Sequence, residues 1–303
     1  MRILYLFLSV VSSVFRCNAL EKGIRVLEKH MNLRGIRSYH FKTDHFDLRY
    51  WKGGNGPVIL FLHGFGVDAL LTWRKEMLHF SKTHTVIAPD LLWFGKSSSN
   101  LKPELSAQRE ALLALLASLE IPSVTLVGQS YGGFVALDLA ASGIVKTEKL
   151  VVANCPGTTF NTSTLRNVCM QFKVDKIEDL FVFESPEGLQ RLMNLSAYKD
   201  VRVPANVLKQ FYRLYYSDHH EQLRELLRSL PEEQKRYPDP SVFHGMKMLV
   251  LWGEHDELFP LQEGIRFAED TAAEMTILKG CGHMSQLDDP VAFCTALNSF
   301  VFR

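Results

Sequence analysis

Val124-Thr-Leu-Val-Gly-Gln-Ser-Tyr-Gly-Gly133 reads as a short buried strand, Val124–Val127, that breaks sharply at Gly128-Gln-Ser130-Tyr-Gly132. A helix follows, with apolar residues at Phe134, Val135, Leu137, Leu139 and Ala140. Gly-x-Ser-x-Gly is a weak pattern alone, but a strand before it and a helix after it give it mechanical meaning. A turn that tight leaves no room for Cβ atoms beside Ser130, hence the flanking glycines. The same turn places the Ser130 hydroxyl at the carboxyl end of a strand and at a helix N-terminus, where backbone N–H groups can hold a negative charge.

Outward from this turn, apolar strands alternate with helical patterns. Phe46–Trp51 has the period-2 alternation of a strand, and Lys52-Gly-Gly-Asn-Gly56 suits a hairpin turn into Val58–Leu62. Val58–Leu62 is apolar throughout, as in a sheet buried on both faces, and ends in His63-Gly-Phe65-Gly66. Helices are predicted over Glu21–Arg34, Leu70–Ser81 and Glu104–Leu119, and strands over Thr85–Ala88 and Lys149–Ala153. From Pro156 to Phe243 the pattern is helical and broken by Pro186, Pro204, Pro231, Pro238 and Pro240. Alternation resumes with strand Met246–Trp252, a helix after Pro260, strand Met275–Leu278 and a helix over Pro290–Phe302. This order predicts an α/β fold: a mostly parallel sheet flanked by helices, an antiparallel start and one helical insertion.

A serine hydroxyl needs a base to take its proton and a third group to orient that base. Two downstream strands open into loops with the right residue types. One carries Gly253-Glu-His-Asp256-Glu-Leu-Phe-Pro260 and the other Lys279-Gly-Cys-Gly-His283. The chain order Ser130, Asp256, His283 suits a catalytic triad, with His283 as base and Asp256 as its orienting acid. Glu254 and Glu257 are rival acids; Asp256 is preferred for its place in the turn just past the strand. The oxyanion formed by attack on a carbonyl needs preset donors. The Tyr131 backbone N–H is one candidate and the Phe65 N–H, between two glycines, is the second. His63 reads as a structural histidine that fixes the Phe65 loop. Adjacent His219 and His220 point different ways on a helix, and no His-x-x-x-His pair occurs, so neither a metal nor another cofactor is expected.

The chain has 303 residues, a formal net charge of +1, 47% hydrophobic and 22% charged residues. That is ordinary globular composition with no basic stripe, so nucleic acid is not an expected partner. The N-terminus departs from it: Met1-Arg2, an apolar run from Ile3 to Val14, then Phe15-Arg-Cys-Asn-Ala19. Residues 1–19 read as a signal peptide cut after Ala19, with an uncleaved membrane-anchoring start as the alternative. The protein is expected to be secreted or exported in the first case and membrane-associated in the second. The five cysteines, Cys17, Cys155, Cys169, Cys281 and Cys294, show no Cys-x-x-Cys spacing. Export would permit one or two disulfides, and buried free thiols are the alternative. Oligomeric state is open.

His63-Gly-Phe-Gly66, Pro89-Asp90…Gly95-x-Ser97, Gly128-Gln-Ser-Tyr-Gly132, Gly253-x-x-Asp256 and Gly282-His283 together resemble the successive landmarks of the α/β-hydrolase superfamily. The resemblance covers nearly all of the chain. It implies an eight-stranded core sheet and a cap inserted after strand 6, with residues 20–155 and 244–303 as core and 156–243 as cap. Serine at 130 departs from epoxide hydrolases and haloalkane dehalogenases, which carry aspartate there. Ser185-Pro-Glu-Gly-Leu-Gln-Arg-Leu-Met-Asn-Leu, followed by Val203-Pro204, resembles the cap of the monoacylglycerol lipase and lipase-esterase branch.

The expected function is cleavage of carboxylic esters, an acylglycerol or another apolar acyl ester, through an acyl-serine. The expected partner is a small-molecule or lipid ester, with peripheral membrane contact. Apolar cap residues such as Phe160, Leu165, Met170, Phe172, Phe181 and Phe183 are candidates for an acyl pocket. Two rivals stay open. A carbon–carbon bond hydrolase acting on a vinylogous diketone would share the triad and would want an arginine facing Ser130, with Arg166, Arg191 and Arg213 available. A non-catalytic binder would use the same pocket as a receptor.

Overall fold

A computed structural model of the protein describes residues 18–234 and 239–303. The predicted signal segment lies outside the described residues except for Asn18 and Ala19, and so does Pro238. The chain enters through helix α1 (Ala19–Leu33), which carries Ile24, Leu27 and Met31 toward the body of the protein. Strands β1 (Arg37–Lys42) and β2 (Phe46–Gly53) then pair antiparallel. Alternation follows through β3 (Val58–Leu62), α2 (Ala69–Phe80), β4 (Thr85–Pro89), a two-residue strand β5 (Ser98–Ser99), α3 (Leu105–Ser118), β6 (Ser123–Gln129), α4 (Tyr131–Ala141) and β7 (Lys146–Ala153). Five helices come next: α5 (Thr162–Phe172), α6 (Ile177–Phe181), α7 (Pro186–Ser196), α8 (Ala205–Tyr215) and α9 (His220–Gln234). The chain closes with β8 (Met248–Gly253), α10 (Leu261–Thr271), β9 (Glu274–Leu278), α11 (Ser285–Asp288) and α12 (Pro290–Val301).

The strands form one sheet in the order β1-β2-β4-β3-β6-β7-β8-β9, with β5 paired to β2. From β4 to β9 every neighbouring pair is parallel. The carboxyl ends of β3, β6, β7, β8 and β9 therefore share one edge. One detail differs from the sequence reading: the Lys52–Gly56 turn does not close a hairpin. Strand β2 lies between β1 and β4, and β3 lies between β4 and β6. Asn55-Gly56 permits a tight reversal, but Ile59, Leu60, Phe61 and Leu62 are all fully buried. A strand apolar on both faces belongs in the middle of a sheet, and burial outweighs turn preference in choosing its partners. Strand β1, which gives β2 its antiparallel partner, went unread because its Arg-Ser-Tyr-His-Phe-Lys side chains are almost all exposed.

Period-2 alternation divides the core in two. Ile59 and Phe61 face a cluster with Trp73 and Met77 of α2 and Phe293 and Leu297 of α12. Leu60 and Leu62 face the opposite cluster, with Leu115 of α3, Val135 of α4 and Phe267 of α10. Helices α5–α9 join this second cluster through residues such as Phe172, Leu180, Leu192, Leu208 and Leu226. A buried carboxylate fastens the end of α9 to the sheet layer. Glu233 accepts from the Leu105 and Ser106 backbone N–H groups at 2.7 and 3.1 Å, at the N-terminus of α3 where an anion is favoured.

Candidate active site

The turn between β6 and α4 holds Ser130 at φ 52°, ψ −119°, a strained conformation for a residue with a Cβ. Its neighbours explain how the strain is enforced. A Cβ on Gly128 would meet the Gly132 carbonyl oxygen at 2.2 Å, and one on Gly132 would meet the Leu62 carbonyl oxygen at 2.2 Å. Only glycine lets β6, α4 and β3 come this close, and the packing then points Ser130 out of the sheet.

Three strand ends converge on it. The ring of His283, five residues past β9, places Nε2 2.9 Å from Ser130 Oγ. Its other nitrogen, Nδ1, donates to Asp256 Oδ2 at 2.9 Å. Because a carboxylate only accepts, Nδ1 carries the proton, and the Nε2 lone pair faces the serine hydroxyl. All three side chains are buried: Ser130 is 7%, Asp256 6% and His283 4% exposed. Glu254 and Glu257, the rival acids, are exposed.

Asp256 is held from four directions. Oδ1 accepts from the Leu258 and Phe259 N–H groups, each at 2.9 Å. Oδ2 accepts from His283 and from the Asn154 side-chain amide at 2.9 Å. Asn154 stands at the end of β7 with φ 50° and in turn accepts from Ser285 Oγ at 2.7 Å. The sequence reading missed Asn154. Its only signal was position, an amide just past a buried strand at the edge that bears Ser130. Gln129, the variable residue before Ser130, was missed too; it donates to the His283 carbonyl oxygen at 3.1 Å and ties the histidine loop to the turn.

The backbone N–H groups of Phe65 and Tyr131 flank the same turn. Among the described residues neither donates to a backbone acceptor. The Phe65 loop is braced from below. His63 Nδ1 donates to the Gly64 carbonyl at 2.8 Å, and Nε2 accepts from the Leu91 N–H at 2.9 Å. Burial pushes the His63 pKa down to about 4, so this ring is neutral and structural at pH 7. Asp90 accepts from the Ala69 N–H, the Lys96 N–H and Arg49, which fixes the start of α2 just beyond the loop. Asp68 caps α2 by accepting from Leu71 and also accepts from the Tyr215 hydroxyl of α8 at 2.9 Å. Burial, with Asp90 close by, raises the Asp68 pKa.

The Phe65 ring is a wall between sheet and helices, edge-on to Phe94, Tyr131 and Phe181 at 5.1–5.9 Å. Beside it lies an apolar cavity of about 150 Å³. Its lining includes Met284, the residue after His283, with Leu20 and Ile24 of α1, Leu192 of α7 and Leu208 of α8. None of the six cap residues named from sequence as acyl-pocket candidates lines it. Phe160 packs against Phe134 and Phe259, Phe183 against Tyr216, and Met170 is 70% exposed. The reason is topological: α8 packs against α7 and α1 over this side of the site, whereas α6 packs against α5 and α9. Sequence periodicity marks an apolar face but not what that face meets.

His220 and His244 donate to the carbonyls of Phe183 and Asp270. Cys155, Cys169, Cys281 and Cys294 are all free thiols, and Cys17 lies outside the described residues. Among the described residues no helix is long and apolar enough to cross a membrane.

A model of the alpha/beta hydrolase family matches residues 59–296. The 2-hydroxymuconate semialdehyde hydrolase of Pseudomonas sp. (strain CF600) is 25% identical over 268 residues, covering 82% of this chain and 88% of that protein. A membrane phospholipase A described as a bacterial virulence factor superposes with a TM-score of 0.74 at 20% identity, over 99% of this chain and 95% of its own. A meta-cleavage product hydrolase from Pseudomonas fluorescens IP01 superposes with a TM-score of 0.69 at 22% identity, over 84% of this chain and 94% of its own. At such identities the two structures testify to the fold alone. The family match spans the strands that carry Ser130, Asp256 and His283, and the chain belongs to the alpha/beta hydrolase family.

Proposed function

We propose that the protein is a serine hydrolase of carboxylic esters, with an apolar acyl ester, acylglycerols included, as its substrate class. The observation that carries this reading is the continuous chain Asp256–His283–Ser130, two contacts of 2.9 Å each, with one tautomer dictated by the carboxylate. In this mechanism His283 Nε2 takes the hydroxyl proton as Ser130 Oγ attacks the ester carbonyl. The negative charge that develops on the carbonyl oxygen is met by the Phe65 and Tyr131 N–H groups. Collapse of the intermediate breaks the ester C–O bond, and His283 returns the proton to the departing alcohol. Water, activated by the same histidine, then cleaves the acyl-serine. Asp256 stabilises the imidazolium that forms in each half. The cavity next to Phe65 would hold an alkyl chain at about 0.8 kcal/mol per buried CH₂.

Cleavage of a carbon–carbon bond by the same triad is a second reading, kept by the relative named for 2-hydroxymuconate semialdehyde. Arg166, Arg191 and Arg213, the arginines considered for that chemistry, are exposed, and none lines the cavity. A fluorophosphonate probe tests the nucleophile: native protein should label and Ser130→Ala should not. Equal labelling of the two would end the reading. p-Nitrophenyl esters of increasing chain length, assayed beside a vinylogous diketone, separate the chemistries, and faster turnover of the diketone would replace the ester assignment.

We further propose that the enzyme works in an exported or membrane-associated setting. The apolar run Ile3–Val14 supports this, as does α1, which leaves Val26 and Leu33 61% and 77% exposed beside Lys22, Arg25 and Lys29. Recovery of the full-length chain from the soluble cytosolic fraction alone would exclude it.

A further inference from the structure

Arg74 and Lys75 project from α2 into the lining of the apolar cavity. Both are half-buried, and among the described residues neither makes a hydrogen bond or ion pair with the protein. Removing cations from water without a partner is costly, and proteins normally pair them. Burial accordingly draws both pKa values down, and for Lys75 the neighbouring Arg74 charge adds to it. The acids nearby are committed elsewhere. Asp288, also in the lining, accepts from the Gly282 and Tyr198 N–H groups at 2.8 and 3.1 Å. Asp289 caps α12 by accepting from Val291 and Ala292. Glu76, the next residue in α2, is fully buried toward Cys294, and burial raises its pKa to about 8, which leaves it protonated at neutral pH.

Apart from Gly66, Ser196, Tyr216 and Asp288, the rest of the wall is apolar. At 1.5 Å per residue, Arg74 stands ~9 Å along α2 from the Asp68 cap, which follows the Phe65 loop. We propose that Arg74 and Lys75 bind an anionic group of the substrate, a phosphate or carboxylate, whose apolar stretch lies along the cavity toward Phe65. The proposal names the substrate class of the hydrolase reading and rests on it for turnover, but the binding site itself does not depend on Ser130 acting as nucleophile. Guanidinium and ammonium groups together suit an oxyanion with several acceptor atoms.

Two measurements test it. In the first, Ser130→Ala protein is titrated calorimetrically with dodecyl phosphate, dodecanoate and dodecanol. Both anions should bind at least tenfold tighter than the alcohol, and Arg74→Gln/Lys75→Gln should bring them to its level. The charge-keeping pair Arg74→Lys/Lys75→Arg should retain most of the preference, which separates lost charge from lost folding. Equal affinity for the three ligands, or a preference that survives the double glutamine variant, would overturn the site. In the second, kcat/KM is compared for p-nitrophenyl dodecanoate and the p-nitrophenyl monoester of dodecanedioic acid, whose chain of the same length ends in a carboxylate. The carboxylate-ended ester should be favoured about tenfold, and only its kcat/KM should fall in the glutamine variant. Absence of all ester turnover would count against the Ser130 reading, and the titration would still decide the anion site.

Discussion

Asn154 and His283 bond to the same oxygen of Asp256, each at 2.9 Å. The carboxylate is thus aimed by an amide just past β7, the strand whose last residue, Ala153, also accepts from the Ser130 backbone N–H at 2.9 Å. Asn154 acts as a positioning residue. Asn154→Ala should slow fluorophosphonate labelling and kcat about tenfold, equivalent to about 1.4 kcal/mol, and leave KM within twofold. Asn154→Asp sets a second acid against Asp256, and their repulsion keeps a proton on the pair. Its pH–rate profile should change in shape as well as height. Labelling at the native rate by both variants would remove Asn154 from the mechanism.

Asp256→Asn tests the orienting acid itself. The amide would preserve shape, but it could donate to His283 and favour the wrong tautomer. Turnover should drop by about 10⁴ with little change in thermal stability. A loss below tenfold would point to one of the exposed acids, Glu254 or Glu257, in its place.

Gly132→Ala should be the most damaging small substitution in the turn. Its methyl would lie 2.2 Å from the Leu62 carbonyl oxygen and 2.6 Å from that of His63, both backbone atoms that cannot step aside. A cost of at least about 3 kcal/mol is expected, read as a lower denaturation midpoint or as failure to accumulate folded protein. A variant as stable as the native chain would mean that β3 and α4 are less tightly apposed than described.

Much of this site was legible in the sequence because its landmarks are local. A strand, a glycine-flanked serine and a helix occur within ten consecutive residues, and Asp256 and His283 each follow a short apolar strand. Asn154 and Gln129 were not legible for the converse reason. Each acts through a partner more than a hundred residues away, and neither residue type announces such a role. The same limit produced the false hairpin at Asn55-Gly56. A turn preference is worth little against full burial of Ile59 to Leu62, and only the assembled sheet shows which strands those residues sit between. The cavity wall was the hardest part, because it joins α1, α2, α7 and α8 from distant parts of the chain.

Glu76 makes stability depend on pH on the alkaline side. Its carboxyl is fully buried between α2 and α12, and burial lifts its pKa from 4.5 to about 8. Below the unfolded value both states hold the proton. Between the two values the folded state keeps a proton that the unfolded state has released, so stability falls as pH rises through this window and levels off above it. At pH 7 the effect is on the order of 3 kcal/mol. Glu76→Gln should therefore raise the melting temperature at pH 8 and do little at pH 4. A melting difference that is flat across this range would show that Glu76 is ionised in the fold.

Glu233 offers a way to loosen the helices without touching the triad. Glu233→Ala removes both acceptors at the start of α3 and should cost about 1–3 kcal/mol. Protease cleavage between β7 and β8 should become faster, while fluorophosphonate labelling of the intact chain should persist. Unchanged proteolysis would mean that the apolar contacts of α9 hold it unaided.

Helix α1 precedes every strand of the sheet, yet Leu20 and Ile24 form part of the wall beside Phe65, and the Leu20 N–H is tied to Gln210 of α8 at 2.9 Å. On the proposed ester-hydrolase reading, selectivity is therefore written partly upstream of the fold that performs the chemistry. Recombinant versions trimmed to the first strand would keep the machinery and lose one side of the mould. Their substrate preferences would describe the trimmed molecule, so surveys of what this enzyme accepts belong on chains that retain its leading helix.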